Sequence, residues 1–189
     1  MTLQLKLVLS FIFLSLYSFS QTQEATIFFT DGVSFEGYGM IENNKVKFRA
    51  SLESKSDYWD YESITRIEFY GFEMSKTFEY VKLDSNTKPV LLELLSSGEV
   101  SLYKEEKSKW VRNDISGIQA GAQKINIEKY YLKRKNDDFA ESLSCGIFNW
   151  KKCMAKNFSD CEYLIKKINS NELQDIPSVV DFYNNYCGE

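Results

Sequence analysis

All the cysteines of this 189-residue chain, Cys145, Cys153, Cys161 and Cys187, fall in its last quarter, and the sequence contains no histidine. Their spacing includes no C-x-x-C pair, so the donor set of a zinc site is missing and paired thiols are the expectation. An even set of paired cysteines belongs to an oxidising compartment. The tail must therefore fold so that sulfurs meet in pairs, with Cα atoms within about 7 Å of each other.

Periodicity in the tail shows how. Ile147, Trp150, Met154 and Phe158 recur at helical spacing and mark one face of a first helix. Ser159, with Glu162 three residues on, has the form of a capping box opening a second helix, on which Cys161, Leu164, Ile165 and Ile168 share a face. Asp175 caps a third helix with Pro177 in its first turn. Its buried side carries Ile176, Val179, Val180 and Tyr183, and Gly188 stops it just beyond Cys187. A short connection, Asn169–Gln174, makes the last two helices an antiparallel pair, bringing Cys161 beside Cys187. Cys161–Cys187 is the expected bridge, and its loop is worth roughly 3 kcal/mol in the chain-entropy account. On one unbroken helix Cys145 and Cys153 would stand roughly 12 Å apart. They pair if Gly146 delays the helix and Cys145 folds back, and the other two pairings of four cysteines stay open.

Upstream the text changes to β. "ATIFFTDGVSFEGYGMI" sets Asp31-Gly32 between two strand-like runs, the signature of a hairpin. Val33, Phe35, Gly37 and Ile41 fall on one parity. In "KVKFR", Val46 and Phe48 point inward and the basic residues outward. Further strands follow at Ile64–Tyr70, "KTFEYVKL", "PVLLELL", "EVSLYK" and "INIEKYYLKR", with a turn at Ser96–Glu99 and a loop of about 20 residues over Ser108–Lys124. Short strands at regular spacing predict a β-meander or a small, barrel-like curved sheet. In rhythm, "TDGVSFEGYGMI" and "SITRIEF" resemble SH3-like or Sm-like barrels. The fold class is thus α+β, with a β-rich domain over residues 21–136 and a disulfide-stapled helical cap of about three helices over 137–189.

The opening "MTLQLKLVLSFIFLSLYSFSQTQ" places Lys6 before an apolar run and small residues at Ser18 and Ser20 before Gln21. This is the pattern of a secretory signal peptide over residues 1–20, the apolar run being too short to span a bilayer. The expectation is an exported protein, periplasmic or extracellular, with no integral membrane span after cleavage. A net charge of −4 argues against a nucleic-acid partner.

The run "FSDCEYLIKKI…VVDFYNNYCGE", together with "TDGVSFEGY" and the leader, resembles uncharacterised exported proteins of Bacteroidetes-type bacteria. There a D-C-x-x-L helix precedes a final Y-N-x-x-C, matched here by Asp160, Cys161, Leu164, Tyr183, Asn184 and Cys187. The resemblance implies secretion and the Cys161–Cys187 pair, and it implies no activity.

Chemistry is sparse. Without histidine, the usual triads and metal–His sites are absent from the sequence. Ser96, Ser97 and Ser101 lie outside any G-x-S-x-G elbow, and no phosphate-binding glycine loop occurs. No base stands ready to activate a thiol. "LKRK" (132–135) reads as a solvated strand end, and "KSKW" (107–110) as a chance pairing of cation and indole. One stretch, "SDYWDYE", sets Asp57, Asp60 and Glu62 among Tyr58, Trp59 and Tyr61, as sugar sites do. The plainer reading, aromatics in the core and acids in water, is preferred there. The expectation is an exported non-catalytic binding or structural protein of the cell envelope, without a cofactor, whose partner is an envelope protein or a glycan. A carbohydrate-binding or carbohydrate-active protein using Tyr58, Trp59, Asp60 and Tyr61 is the alternative.

Overall fold

The structure, a computed structural model, describes residues 22–71, 74–115, 118–145 and 149–188, with backbone alone for residues 111–115 and 118–121. The leader read at 1–20, and Ile147 and Gly146 of the tail, lie outside the described residues. Ten strands form one antiparallel sheet: β1 (Gln23–Phe29), β2 (Ser34–Glu42), β3 (Lys45–Arg49), β4 (Asp57–Trp59), β5 (Ile64–Tyr70), β6 (Ser75–Val81), β7 (Val90–Ser96), β8 (Val100–Ile115), β9 (Ile118–Arg134) and β10 (Glu141–Leu143). Three helices follow, α1 (Trp150–Asn157), α2 (Glu162–Asn169) and α3 (Ile176–Tyr186). The strand order is β10-β9-β8-β7-β6-β5-β1-β2-β3-β4, a meander interrupted where β5 returns to pair with β1.

Turn chemistry fixes the registers. Gly32 supplies φ +88° in the β1–β2 turn, and Asp31 Oδ1 accepts from the Val33 amide at 3.0 Å. Asn43 and Asn44 have φ 51° and 61°, and Glu42 lies opposite Lys45, so two asparagines make a two-residue hairpin turn with both residues left-handed. Asparagine tolerates that conformation better than other side-chain-bearing residues.

Alternation then sorts side chains to two faces. On the concave face Ala25, Ile27, Val46, Phe48, Ile64, Ile67, Phe69 and Leu91 form one buried cluster, so the strands from β1 to β7 curl around a shared core. The curl needs small residues: a Cβ on Gly37 would lie 2.4 Å from the Arg49 carbonyl oxygen. Farther along the same face Val100 and Leu102 meet Met154, Phe158, Leu164, Ile168, Val179, Val180 and Tyr183, so the helices cover the C-terminal end of the sheet. The opposite face has a smaller cluster of Val81, Leu92, Tyr103, Tyr131 and Ala140. The sheet is curled but not fully closed.

Both bridges form, Cys145–Cys153 with Cα atoms 5.6 Å apart and Cys161–Cys187 at 5.9 Å. Among the described residues no helix is long and apolar enough to cross a membrane.

Three expectations are corrected. Ser108–Lys124 is not a loop, because β8 and β9 pair from Val100↔Arg134 to Ile115↔Ile118, with one register shift between Arg112 and Asp114. At its base Ser108 faces Asn126 across the hairpin, with Ser108 Oγ donating to Asn126 Oδ1 at 2.9 Å. The side chains described there, at 108–110 and 122–124, are exposed, so no buried face imposed an alternation of apolar and polar residues. Ser159 does not cap α2. The chain is still turning after α1 at that point, with the Cys161 amide donating to Phe158 O (3.1 Å), and Cys161 itself is the N-cap, its Sγ accepting from the Leu164 amide. Nor is "LKRK" simply solvated: Arg134 donates to Asn157 O (2.7 Å) and to Tyr183 Oη (3.1 Å), tying β9 to the end of α1 and to α3.

Candidate binding cleft

β7 and β8 part company within the sheet. Their pairing runs from Ser96↔Leu102 to Glu93↔Lys104 and stops, while β8 continues with β9 alone. On its other edge β7 still pairs with β6, through Tyr80↔Leu91 and Val81↔Val90. The edge from which β8 has left is closed by one side chain. Asn44 Nδ2 donates to Pro89 O at 3.0 Å, and the Leu91 amide donates to Asn44 Oδ1 at 2.7 Å. A carboxamide offers a donor and an acceptor side by side, as a strand backbone does. Tyr80 Oη donates to the Asn44 carbonyl at 2.9 Å and holds the turn in place.

The wedge between the diverging strands is a cleft of about 530 Å³, walled by Ile41 and Asn44 on one side and by residues 104–107 on the other. Its floor is Phe78 and Leu91, with Lys76 and Glu93 at the end. A second hollow of about 260 Å³ shares Ile41, Lys76 and Phe78 with it and runs on to Gly39 and Phe69. Together they make a trough along the concave face at the mouth of the curl. Mouths of this kind are where barrel-like sheets hold ligands, and the volume lies in the range of small-molecule or short-peptide sites.

Glu93 is the buried charge of this trough, 8% exposed. Its two carboxylate oxygens are held separately, Oε1 by Lys76 at 3.1 Å and Oε2 by Lys104 at 3.0 Å. Burial pushes the Glu93 carboxyl upward, but the hydrogen bonds and charges of Lys104 and Lys76 outweigh it and hold the group below its ordinary value. The hydrogen bond to Glu93 in turn holds the Lys104 ammonium above its ordinary value, against partial burial. Each ammonium keeps donors to spare. The trough thus pairs an apolar floor with fixed, compensated charges, an arrangement suited to orienting a ligand.

No family model matches the chain, and no curated protein or solved structure matches it.

The aromatic stretch singled out in the sequence does not converge on one surface. β4 is an edge strand paired to β3, with Lys47 opposite Tyr58 and Val46 opposite Trp59. Tyr58 therefore points outward, 53% exposed, with the Lys47 ammonium 5.5 Å from its ring and its hydroxyl donating to Glu42. Trp59 points inward and packs edge-on against Phe29, with centroids 5.0 Å apart. Asp60 organises the following turn, accepting from the Glu62 amide, and lies 3.7 Å from Lys45. Tyr61 meets Tyr80 at 6.2 Å between centroids. Lys107 of "KSKW" turns to Glu105 (2.7 Å), on the opposite side of the strand from Trp110.

The tail motif reads out as structure. Tyr183 Oη donates to Asp160, Cys161 binds Cys187, and Leu164 is fully buried. The Asn184 carboxamide accepts from the Val100 amide (2.9 Å) and donates to the Val100 carbonyl (2.8 Å). Gly98 is required below it, since a Cβ there would lie 2.6 Å from Asn184 Cγ. Sequence reasoning missed the cleft because Lys76, Glu93 and Lys104 lie on three different strands. Glu93 did leave a trace, as a lone charge in the apolar run "VLLELL".

Proposed function

We propose that this chain is an exported, non-catalytic binding protein of the cell envelope, periplasmic or at the cell surface, and that the trough at the mouth of its curled sheet receives the ligand or partner segment. The open cleft of about 530 Å³, with its apolar floor and the Lys76–Glu93–Lys104 cluster, carries the reading. Two disulfides in the helical end support an oxidising, exported location. The absence of histidine from the sequence and the mutual satisfaction of the charges in the trough support binding without catalysis.

The test is capture from an envelope extract by the immobilised oxidised protein, side by side with Ile41→Arg. Ile41 stands at the rim, 36% exposed, so the substitution blocks the mouth without emptying the core. A component recovered in stoichiometric amount by the natural protein and lost with Ile41→Arg is the expected result. Equal recovery by both, or none by either, would defeat the reading. The sugar-binding alternative rests on the exposed ring of Tyr58. A glycan array with Tyr58→Ala as the control addresses it directly, because Trp59→Ala would also remove a core contact.

A further inference from the structure

Beyond Lys104 and Tyr130 the β8–β9 hairpin leaves the body. β7 pairs with β8 as far as Lys104, and β10 pairs with β9 only from Tyr130. Outward of those residues β8 and β9 pair only with each other among the described residues, as an arm two strands wide.

Charge and apolar surface are unevenly spread along this arm. Three acids, Glu105, Glu106 and Glu128, stand at its root. Glu105 is taken up by Lys107 (2.7 Å) and by the Tyr131 hydroxyl (3.0 Å), and Glu128 by the Tyr130 hydroxyl (2.8 Å). The next four rungs run from Lys107↔Ile127 to Trp110↔Lys124. They carry three lysines, three large apolar side chains and no acid, in a chain whose net charge is −4. Strand alternation sends both kinds of side chain to both faces. On one face Lys107 and Lys109 lie opposite Ile127 and Ile125, which are 37% and 38% exposed. On the other Trp110, 67% exposed, lies opposite Lys124.

That distribution selects the partner. A protein surface can lie against only one face of a two-stranded arm, and it would leave the apolar groups of the other in water. A soluble polyanion would be served by the lysines, but it gives isoleucine and tryptophan nothing to bury against. A fluid headgroup layer surrounds a thin arm on both sides. Its phosphates attract the lysines, and the boundary beneath them accepts the indole and the isoleucines, tryptophan being a side chain that favours the membrane–water interface. Lysine stems lie along apolar surface while their ammonium groups reach outward to phosphate. Distance decides whether the acidic body opposes this. At about 3.3 Å per residue Trp110 lies roughly 20 Å along β8 from Lys104, more than twice the screening length of about 8 Å at physiological salt. Repulsion between the body and an anionic surface is thus screened where the attraction of the arm is not.

We propose that the arm is a membrane-contact element, through which Lys109, Trp110 and Lys124, with Ile125 and Ile127, hold the protein peripherally on an anionic lipid surface. The test is co-sedimentation of the full oxidised chain with vesicles of mixed phosphatidylglycerol and phosphatidylcholine, and with vesicles of phosphatidylcholine alone. Binding to the mixed vesicles is expected, weakened by salt and absent for phosphatidylcholine alone. Lys109→Gln with Lys124→Gln should lower the partition coefficient about thirtyfold, roughly fivefold for each lysine at the surface. Trp110→Ala should lower it about tenfold and leave its salt dependence unchanged. All three side chains are exposed, and circular dichroism checks that each variant keeps its fold. Lys107 is left in place because it also walls the trough. No binding to the mixed vesicles at low salt would overturn the proposal, as would equal binding to both kinds of vesicle or variants that bind undiminished. Binding that falls with the lysines but is indifferent to Trp110→Ala would assign the arm to soluble polyanions, and would overturn it too.

Discussion

The two ends of the sheet are closed by the same device under different support. At the curled end Asn44 pairs with Pro89 O and Leu91 N, and at the helical end Asn184 pairs with both backbone groups of Val100. Each carboxamide does the work of a missing neighbour strand. Asn44 rides on a two-residue turn anchored by the β2–β3 ladder. Asn184 rides near the end of α3, and α1, α2 and α3 have 8, 8 and 11 residues, lengths that are marginal in isolation. The curled end is held by ladders and alternation. The helical end needs its helices brought together first, and the Cys161–Cys187 bridge does that by joining the N-cap of α2 to the C-cap of α3.

That contrast breaks most readily at the bridge. Cys161→Ala with Cys187→Ala should lower the unfolding free energy by about 3 kcal/mol, and Cys145→Ala with Cys153→Ala by a little less, because the first loop closes 26 residues and the second 8. Denaturant unfolding measures both. If the first pair's loss left the midpoint unchanged, the helical end would not depend on its staple.

The curled end is sharpened by Asn44→Gly. Glycine keeps the left-handed backbone available and removes the carboxamide, so the change isolates the clasp. It should cost about 1–2 kcal/mol, the range for leaving partly buried backbone groups without partners. Faster hydrogen exchange at the Leu91 amide is the local signature. Asn44→Ala should cost more, since it adds the strain of a left-handed alanine. Equal costs for Gly and Ala, with Leu91 exchange unchanged, would assign the stability of this end to its ladders alone.

How much of this was legible in the sequence follows from where the physics is local. The turn written in Asp31-Gly32, the alternation of Val46 and Phe48, and the Asp175–Pro177 helix start all depend on neighbours a few residues away, and they stand as read. The Cys161–Cys187 pair was legible because a short connection forces two helices antiparallel. The β8–β9 hairpin beyond Lys104 was not, because its described side chains, at 106–110 and 122–129, are exposed on both faces and carry no periodic signal. Cys161 hid its capping role behind Ser159, whose side chain is the better acceptor by type but sits before the chain has finished turning. The trough was illegible for a different reason. Its charges come from β6, β7 and β8 and its clasp from the β2–β3 turn, so the site exists only once the sheet has curled.

The smallest expected effect concerns that trough. Glu93 is held below its ordinary carboxyl pKa by Lys104 and Lys76 despite burial, so in the folded state it gives up its proton more readily than in the unfolded chain. Its contribution to stability is then complete above the unfolded carboxyl value and is lost as pH falls through the folded one. Glu93→Gln keeps the shape, removes the charge and should cost on the order of 1 kcal/mol near neutral pH, since Lys76 is half exposed and reaches water in compensation. The diagnostic is the slope. Between about pH 5 and pH 3 the natural protein should lose stability faster than the Gln variant, and the two curves should converge at the acid end. The opposite limb has the opposite sign. Lys104 is held above its ordinary value by Glu93, so its share is complete below the unfolded lysine value and fades as pH rises through the folded one. Parallel acid limbs for the two proteins would mean that the carboxylate is satisfied by water as well as by lysine, and that the trough is less closed than the distances to Lys76 and Lys104 describe.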